Sequence, residues 1–175
     1  MVKVKEVMRS YVVTVGPKAT LDEVARIMDA NKIGSVVIVD KESPVGIITD
    51  SDIVSAAANK KSLAATKVSS IASKKLVTTF PEEDLLKAVR TMVKSGVKRL
   101  PVVDKGRLVG ILTDKEVLLT TPEMVEVLSE RLKARTGDLQ LSAAETISGI
   151  CEECEAYSDN LKHVNDKWLC EDCRQ

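Results

Sequence analysis

Val45-Gly46-Ile47-Ile48-Thr49-Asp50 recurs as Val109-Gly110-Ile111-Leu112-Thr113-Asp114, displaced by 64 residues. The displacement holds outward without a gap: Pro17 answers to Pro81 and Asp40 to Asp104. Two like units in tandem pack on each other, because one alone leaves its apolar face uncovered. A pair related in this way also encloses a cleft between its halves, so the repeat is the place to look for function.

Each copy reads strand, helix, strand, strand, helix. In the first copy the β-branched run Val12–Val15 is stopped by Gly16-Pro17. Thr20 lies three residues before Glu23, a capping box, and Leu21, Val24, Ile27 and Met28 follow at helical spacing until Asn31-Lys32. Val36–Val39 has no polar alternation, which predicts a strand covered on both faces in a parallel or mixed sheet. Lys41-Glu42-Ser43-Pro44 is expected to turn the chain into a strand over Val45–Ile48, with a short helix over Asp52–Asn59. The second copy repeats the series as Leu76–Thr79, Leu85–Lys94, Leu100–Val103, Leu108–Leu112 and Lys115–Leu119, with Lys60–Ser70 as connector. We place one repeat in residues 1–64 and the other in 65–121. Residues 122–145 form an amphipathic helix, opened by Pro122 and running to Arg135, with its linker, and 146–175 a small terminal domain. The fold class is α/β in the mixed, α+β sense.

Charge is unevenly spread over a chain whose formal net charge is zero. Residues 1–121 hold 20 Lys and Arg against 14 Asp and Glu, whereas 151–175 hold 3 against 7. The basic front suits an anionic ligand. No apolar run reaches the roughly 20 residues that span a bilayer, and the start lacks the apolar stretch of a signal peptide. All four cysteines lie in the last 25 residues, so a disulfide scaffold across the fold is not expected, and a cytoplasmic protein is.

The pattern of each copy resembles the CBS domain, the module named after cystathionine beta-synthase. The resemblance is carried by Val7-Met8, Val12–Val15, Pro17, Ala19-Thr20-Leu21, Val36–Asp40 and Gly46–Ile53, and in the second copy by Val77-Thr78, Pro81, Leu100–Asp104 and Gly110–Asp114. It covers residues 1–120 and implies a disc-shaped Bateman module that pairs into homodimers. It further implies an adenosine nucleotide or another adenosyl ligand in the cleft. The motif Gly-h-h-Thr-x-x-Asp, where h is apolar, then assigns Thr49 and Asp52 to that ligand. The acid would accept from the ribose hydroxyls, and the hydroxyl and helix-start amides would suit a phosphate. By the same alignment Val13, Ile33 and Gly34 would wall the adenine in copy one, and Val77, Val97 and Lys98 in copy two. Copy two departs from the motif: Thr113 is followed by Glu116, one methylene longer than Asp. The site with Asp52 is therefore the one expected to be occupied. Lys98 and Arg99 are candidates for phosphate contact. Thr49-x-x-Asp52 and Thr113-x-x-Glu116 also read as plain helix caps.

Cys151-x-x-Cys154 and Cys170-x-x-Cys173, fifteen residues apart, have the two-knuckle spacing of a tetrahedral four-thiolate site. A segment this short buries too little apolar surface to fold alone, so the metal supplies much of its folding energy. Two disulfides or a redox dithiol are the alternatives, and His163 is a candidate competing ligand. The segment resembles a zinc ribbon and, more loosely, a rubredoxin, the pairing with CBS repeats being of prokaryotic, archaeal type. It departs from both at Glu155 and Arg174, where glycine is usual. Zinc is the expected ion and iron the alternative. Trp168 and Leu169 are expected to cover it.

A regulatory, ligand-sensing protein is the leading expectation, with the ribbon serving assembly or a protein partner. An iron-bearing electron carrier and a nucleic-acid-binding regulator are the alternatives. The ribbon's acidity argues against phosphate contacts, which need Lys and Arg. Catalysis is not expected: the single histidine, in the tail, has no nucleophile beside it, and four cysteines leave no open metal position.

Overall fold

The computed structural model describes residues 2–72, 76–120, 147–165 and 167–174. The chain divides into two compact units, Met1–Ala134 and Arg135–Gln175. The predicted helix over 122–135 and its linker lie outside the described residues.

In the first unit the order is α1 (Val4–Val7), β1 (Thr14–Val15), α2 (Leu21–Asn31), β2 (Ser35–Asp40), β3 (Ser43–Thr49), α3 (Asp50–Ala58), a 3₁₀ turn (Val68–Ser70), α4 (Leu85–Ser95), β4 (Arg99–Asp104), β5 (Arg107–Thr113) and α5 (Asp114–Thr120). β1 runs parallel to β2, and β2 antiparallel to β3, so the first copy has a mixed sheet as its unalternated apolar strand requires. In the second copy β4 and β5 pair in the same antiparallel register. The expected strand at Leu76–Thr79 is reduced to one parallel bridge, Thr79 to Val102. The turn after β2 is shorter than expected. Ser43 and Pro44 already pair with Asp40 and Val39, and only Lys41 and Glu42 turn, both at positive φ (48° and 69°). That is a two-residue hairpin of the primed type, whose twist matches the strands. Lys105-Gly106 makes the same turn in copy two.

Helix ends follow the sequence. The Thr20 hydroxyl accepts from Glu23 N while Glu23 Oε2 accepts from Thr20 N, and Lys32 closes α2 in the left-handed region. Asp84 caps α4, and Gly96 ends it at φ 65°.

The two cores are each completed by a segment from the opposite end of the repeat. Val4 and Val7 of α1 are buried with Leu85, Val89, Met92, Leu100, Leu112 and Val117, all of copy two. Val68, at the start of copy two, is buried with Leu21, Val24, Val36, Ile38 and Ile48 of copy one. The backbone confirms the exchange: Val4 N donates to Glu83 O at 3.0 Å, and Val68 N to Ala19 O at 2.9 Å.

The second unit is a three-stranded antiparallel sheet of β6 (Ile147–Ile150), β7 (Tyr157–Val164) and β8 (Lys167–Leu169), closed by a 3₁₀ turn at Asp172–Arg174. Cys151, Leu161 and Cys170 form its small core, with Trp168 and Leu169 packed against them.

Candidate ligand cleft and metal ribbon

β3 and β5 each end in a threonine that starts a helix, and there each copy presents its acid. At the first, Thr49 N and Oγ1 both donate to Asp52 Oδ2, at 2.8 and 2.6 Å. At the second, the Thr113 hydroxyl donates to Glu116 Oε2. Glu116 is buried, with 8 % of its surface exposed, and its Oε1 is held by Arg9 Nε at 2.6 Å. Asp52 therefore completes a capping box at the start of α3, and the capping reading of the first motif stands alongside any ligand role.

A cleft of about 210 Å³ opens beside Glu116. Val13, Ile33 and Gly34 of copy one line one side; Arg99, Thr113 and Glu116 of copy two line the other. The alignment joins those three wall residues to Thr49 and Asp52; the structure sets them opposite the second acid. Asp52 borders a different hollow, of about 250 Å³, with Ser55, Asn59 and Lys61. Val77 and Val97 are half-buried against the second core, and the Lys98 carbonyl accepts from Asp114 N at 3.1 Å. Arg99 does reach the cleft: a Cβ at Gly34 would lie 2.7 Å from its Nη2 and 3.0 Å from Asp50 Oδ2. A side chain at this position would push the guanidinium aside from where it lies against Gly34.

Sequence reading missed Arg9, Tyr11, Lys32 and Lys115, which also line this cleft. Arg9 is fixed by its backbone, which exchanges two 3.0 Å hydrogen bonds with Ile111. Its guanidinium carbon stands 6.0 Å from the centre of the exposed Tyr11 ring, at the reach of a cation–π contact. The counterpart of Arg9 at the offset of 64 is Ser73, so no repeated signal marks it. A basic side chain in one copy against a neutral one in the other was the available clue.

In the ribbon the four cysteine sulfurs lie within 4.8 Å of one another, with Cys154 and Cys170 Sγ 3.7 Å apart. A tetrahedral ion with Zn–S bonds of about 2.3 Å needs sulfurs about 3.8 Å apart, so the residues fit a four-thiolate metal. Disulfides, with sulfurs about 2.05 Å apart, do not describe them, and the thiols are free. Cys170 N donates to Cys151 Sγ at 3.3 Å. Donation from the Cys170 and Cys154 amides draws the Cys151 thiol down to about 6, whereas the neighbouring thiols of Cys170 and Cys154 push Cys173 up to about 12. His163 is not among the clustered ligands; its ring packs on Trp168 at 5.1 Å. Glu155 takes a φ of 58°, the conformation for which ribbons use glycine.

The CBS domain profile matches residues 4–59 and 68–121. An uncharacterized protein of Methanopyrus kandleri is 37% identical over 177 residues, covering 98% of this chain and 90% of that protein. Among solved structures, a CBS domain pair in complex with 5′-methylthioadenosine and S-adenosyl-L-methionine superposes with a TM-score of 0.64 at 27% identity, over 70% of this chain and 97% of that one. A CBS domain protein of Pyrobaculum aerophilum, complexed with AMP, gives 0.66 at 23% identity over 73% and 99%, a likeness of fold. Two matched copies, their shared register and a full-length relative lead to one conclusion: the chain belongs to the CBS domain family and carries a CBS pair followed by a four-cysteine cluster of metal-ribbon type.

Proposed function

We propose that the protein is a non-catalytic regulatory sensor that takes an adenosine nucleotide or another adenosyl ligand in the cleft between its two CBS copies. The observation that carries this reading is the meeting of Val13, Ile33 and Gly34 with Thr113 and Glu116 across one hollow. An apolar slot receives the base, and a buried carboxylate beside it offers charge-assisted acceptance to a vicinal diol. The adenosyl complexes of the related CBS pair support the ligand class. Exchanged in the same way, Thr49 and Asp52 would serve Val77, Val97 and Lys98 as a second, unequal site.

The ribbon is read as structural, holding zinc on Cys151, Cys154, Cys170 and Cys173 and offering a surface for assembly or a protein partner. Homodimers formed through the CBS copies fit the exposed Val54 of α3 and Leu118 and Leu119 of α5. No helix among the described residues is long and apolar enough to cross a membrane; a cytoplasmic setting suits the free thiols. An all-sulfur site equally suits iron, which keeps electron transfer as a second reading. Metal analysis with a visible spectrum decides it, because four-thiolate iron is coloured and zinc is not.

A thermal-shift series with AMP, ADP, ATP, S-adenosylmethionine and 5′-methylthioadenosine tests the cleft. A ligand at a hundredfold excess over its Kd stabilises by about 2.7 kcal/mol, a shift of several degrees. The parent responds to at least one of these and Glu116→Ala does not. No response in the parent, or an unchanged response in the variant, removes the cleft from consideration.

A further inference from the structure

Resting on the adenosyl reading of the cleft, we infer that its ligand carries a negatively charged phosphate chain and that Arg9 switches partner on binding, from Glu116 to the phosphate. Both oxygens of Glu116 are engaged in the structure, Oε2 by the Thr113 hydroxyl and Oε1 by Arg9. A ribose diol that claims Glu116 therefore competes with Arg9 for it. The Arg9 backbone stays pinned to Ile111, but its side chain is 39 % exposed, with solvent on one side into which it can turn. A guanidinium turned out of this pair is drawn to another anion at the cleft, a charge-assisted contact stronger than hydration alone supplies. A phosphate on the same ligand supplies it, with bidentate geometry that suits Arg.

The charge around the cleft points the same way. Arg9, Lys32, Arg99 and Lys115 line it against the two acids Asp114 and Glu116, so cations are in excess. A sulfonium ligand would meet that excess unfavourably, and an uncharged thioether would offer Arg9 no charge to turn to.

Titration calorimetry of the full chain with ADP, adenosine and 5′-methylthioadenosine tests the switch in the parent, Arg9→Ala and Glu116→Gln, with circular dichroism melts to verify folding. In the parent ADP binds at least about tenfold more tightly than adenosine, the worth of one charge-assisted contact. That preference shrinks as salt is raised. Arg9→Ala weakens ADP about tenfold and leaves adenosine unchanged or tighter, since Glu116 is released. Glu116→Gln weakens both. Equal affinity for ADP and adenosine in the parent, or an equal loss of both in Arg9→Ala, overturns the switch while leaving the adenosyl cleft intact. Binding of none of the three ligands overturns the cleft and the switch together.

Discussion

Gly110 shows how one missing side chain positions the cleft. A Cβ there would stand 2.6 Å from the Arg9 carbonyl oxygen and 2.7 Å from Met8 Sδ. Gly46, its counterpart, would meet Ala72 Cβ at 3.0 Å and the end of Ile38 at 3.3 Å. A backbone residue held through both its N–H and its carbonyl cannot yield as a side chain does. Gly110→Ala should therefore destabilise by about 2 kcal/mol, within the range for overpacking, and Gly46→Ala by less. Urea melts of the two variants compare them directly, and an equal cost would show that the segment at Arg9 is not rigid. In the ribbon, Glu155 sits at φ 58°, where a side chain is strained. Glu155→Gly should raise the stability of the metal-loaded ribbon by up to about 1 kcal/mol, read as greater resistance to chelator-induced unfolding. The four cysteines of this site were legible from spacing alone, since the Cys-x-x-Cys knuckle is local geometry. Glu116 was legible too, but as the weaker acid of the pair. Its cleft partners could not be read off, because facing surfaces of two copies are brought together by packing that no local pattern records.

At the scale of elements, the exchanged segments decide which residues stabilise which copy. Val4 is fully buried among Leu85, Val89 and Met92, so Val4→Ala should cost about 2 kcal/mol and act on the second core. Val68→Ala should do the same to the first. Hydrogen exchange read by mass spectrometry checks this: Val4→Ala raises exchange in α4 and β4 first, and a rise confined to α2 and β2 would contradict the exchange. Glu82 ties the α1 segment down at the surface through ion pairs with Lys3 and Lys5. Those lysines draw its carboxyl down to about 2 from the ordinary 4.5. A carboxyl lowered by folding stabilises above its unfolded value, so this contribution is present at neutral pH and is lost as pH falls from about 4.5 to about 2. The pair is solvent-exposed, which makes the effect small and sensitive to salt. Strands and helices were legible to within a residue or two wherever apolar periodicity was strong, as in α2 and β2. The short turn at Lys41-Glu42 was not, because neither residue advertises a positive φ. The bridge at Thr79 was not either, since Leu76–Thr79 has the composition of a strand and only the packing curtails it.

At the scale of the molecule the two units draw on different forces. The CBS unit buries two apolar cores, whereas the ribbon buries chiefly Leu161 and two cysteines, so a metal held by its four cysteines would supply much of its stability. A strong chelator should accordingly abolish the ribbon's protection from proteolysis while the melting of the CBS unit stays unchanged; joint loss of both would show that the ion supports the whole chain. Acid should act as the chelator does, and the direction follows from the thiols. Without metal, Cys154 is held above the ordinary thiol value, chiefly against a lowering amide contact by its thiol neighbours, and Cys173 is pushed up to about 12. Both are therefore protonated at neutral pH, and metal binding, which requires thiolates, expels at least those two protons. By linkage the affinity rises with pH by at least about a hundredfold per unit near neutrality. Cys151, drawn down to about 6, adds a further proton only below that pH and steepens the fall there. Competition with a chromophoric chelator at pH 6, 7 and 8 measures the slope. A slope near zero would mean that the four sulfurs are already ionised before the metal arrives, and that the amides around them, and not the ion, hold the charge of the site.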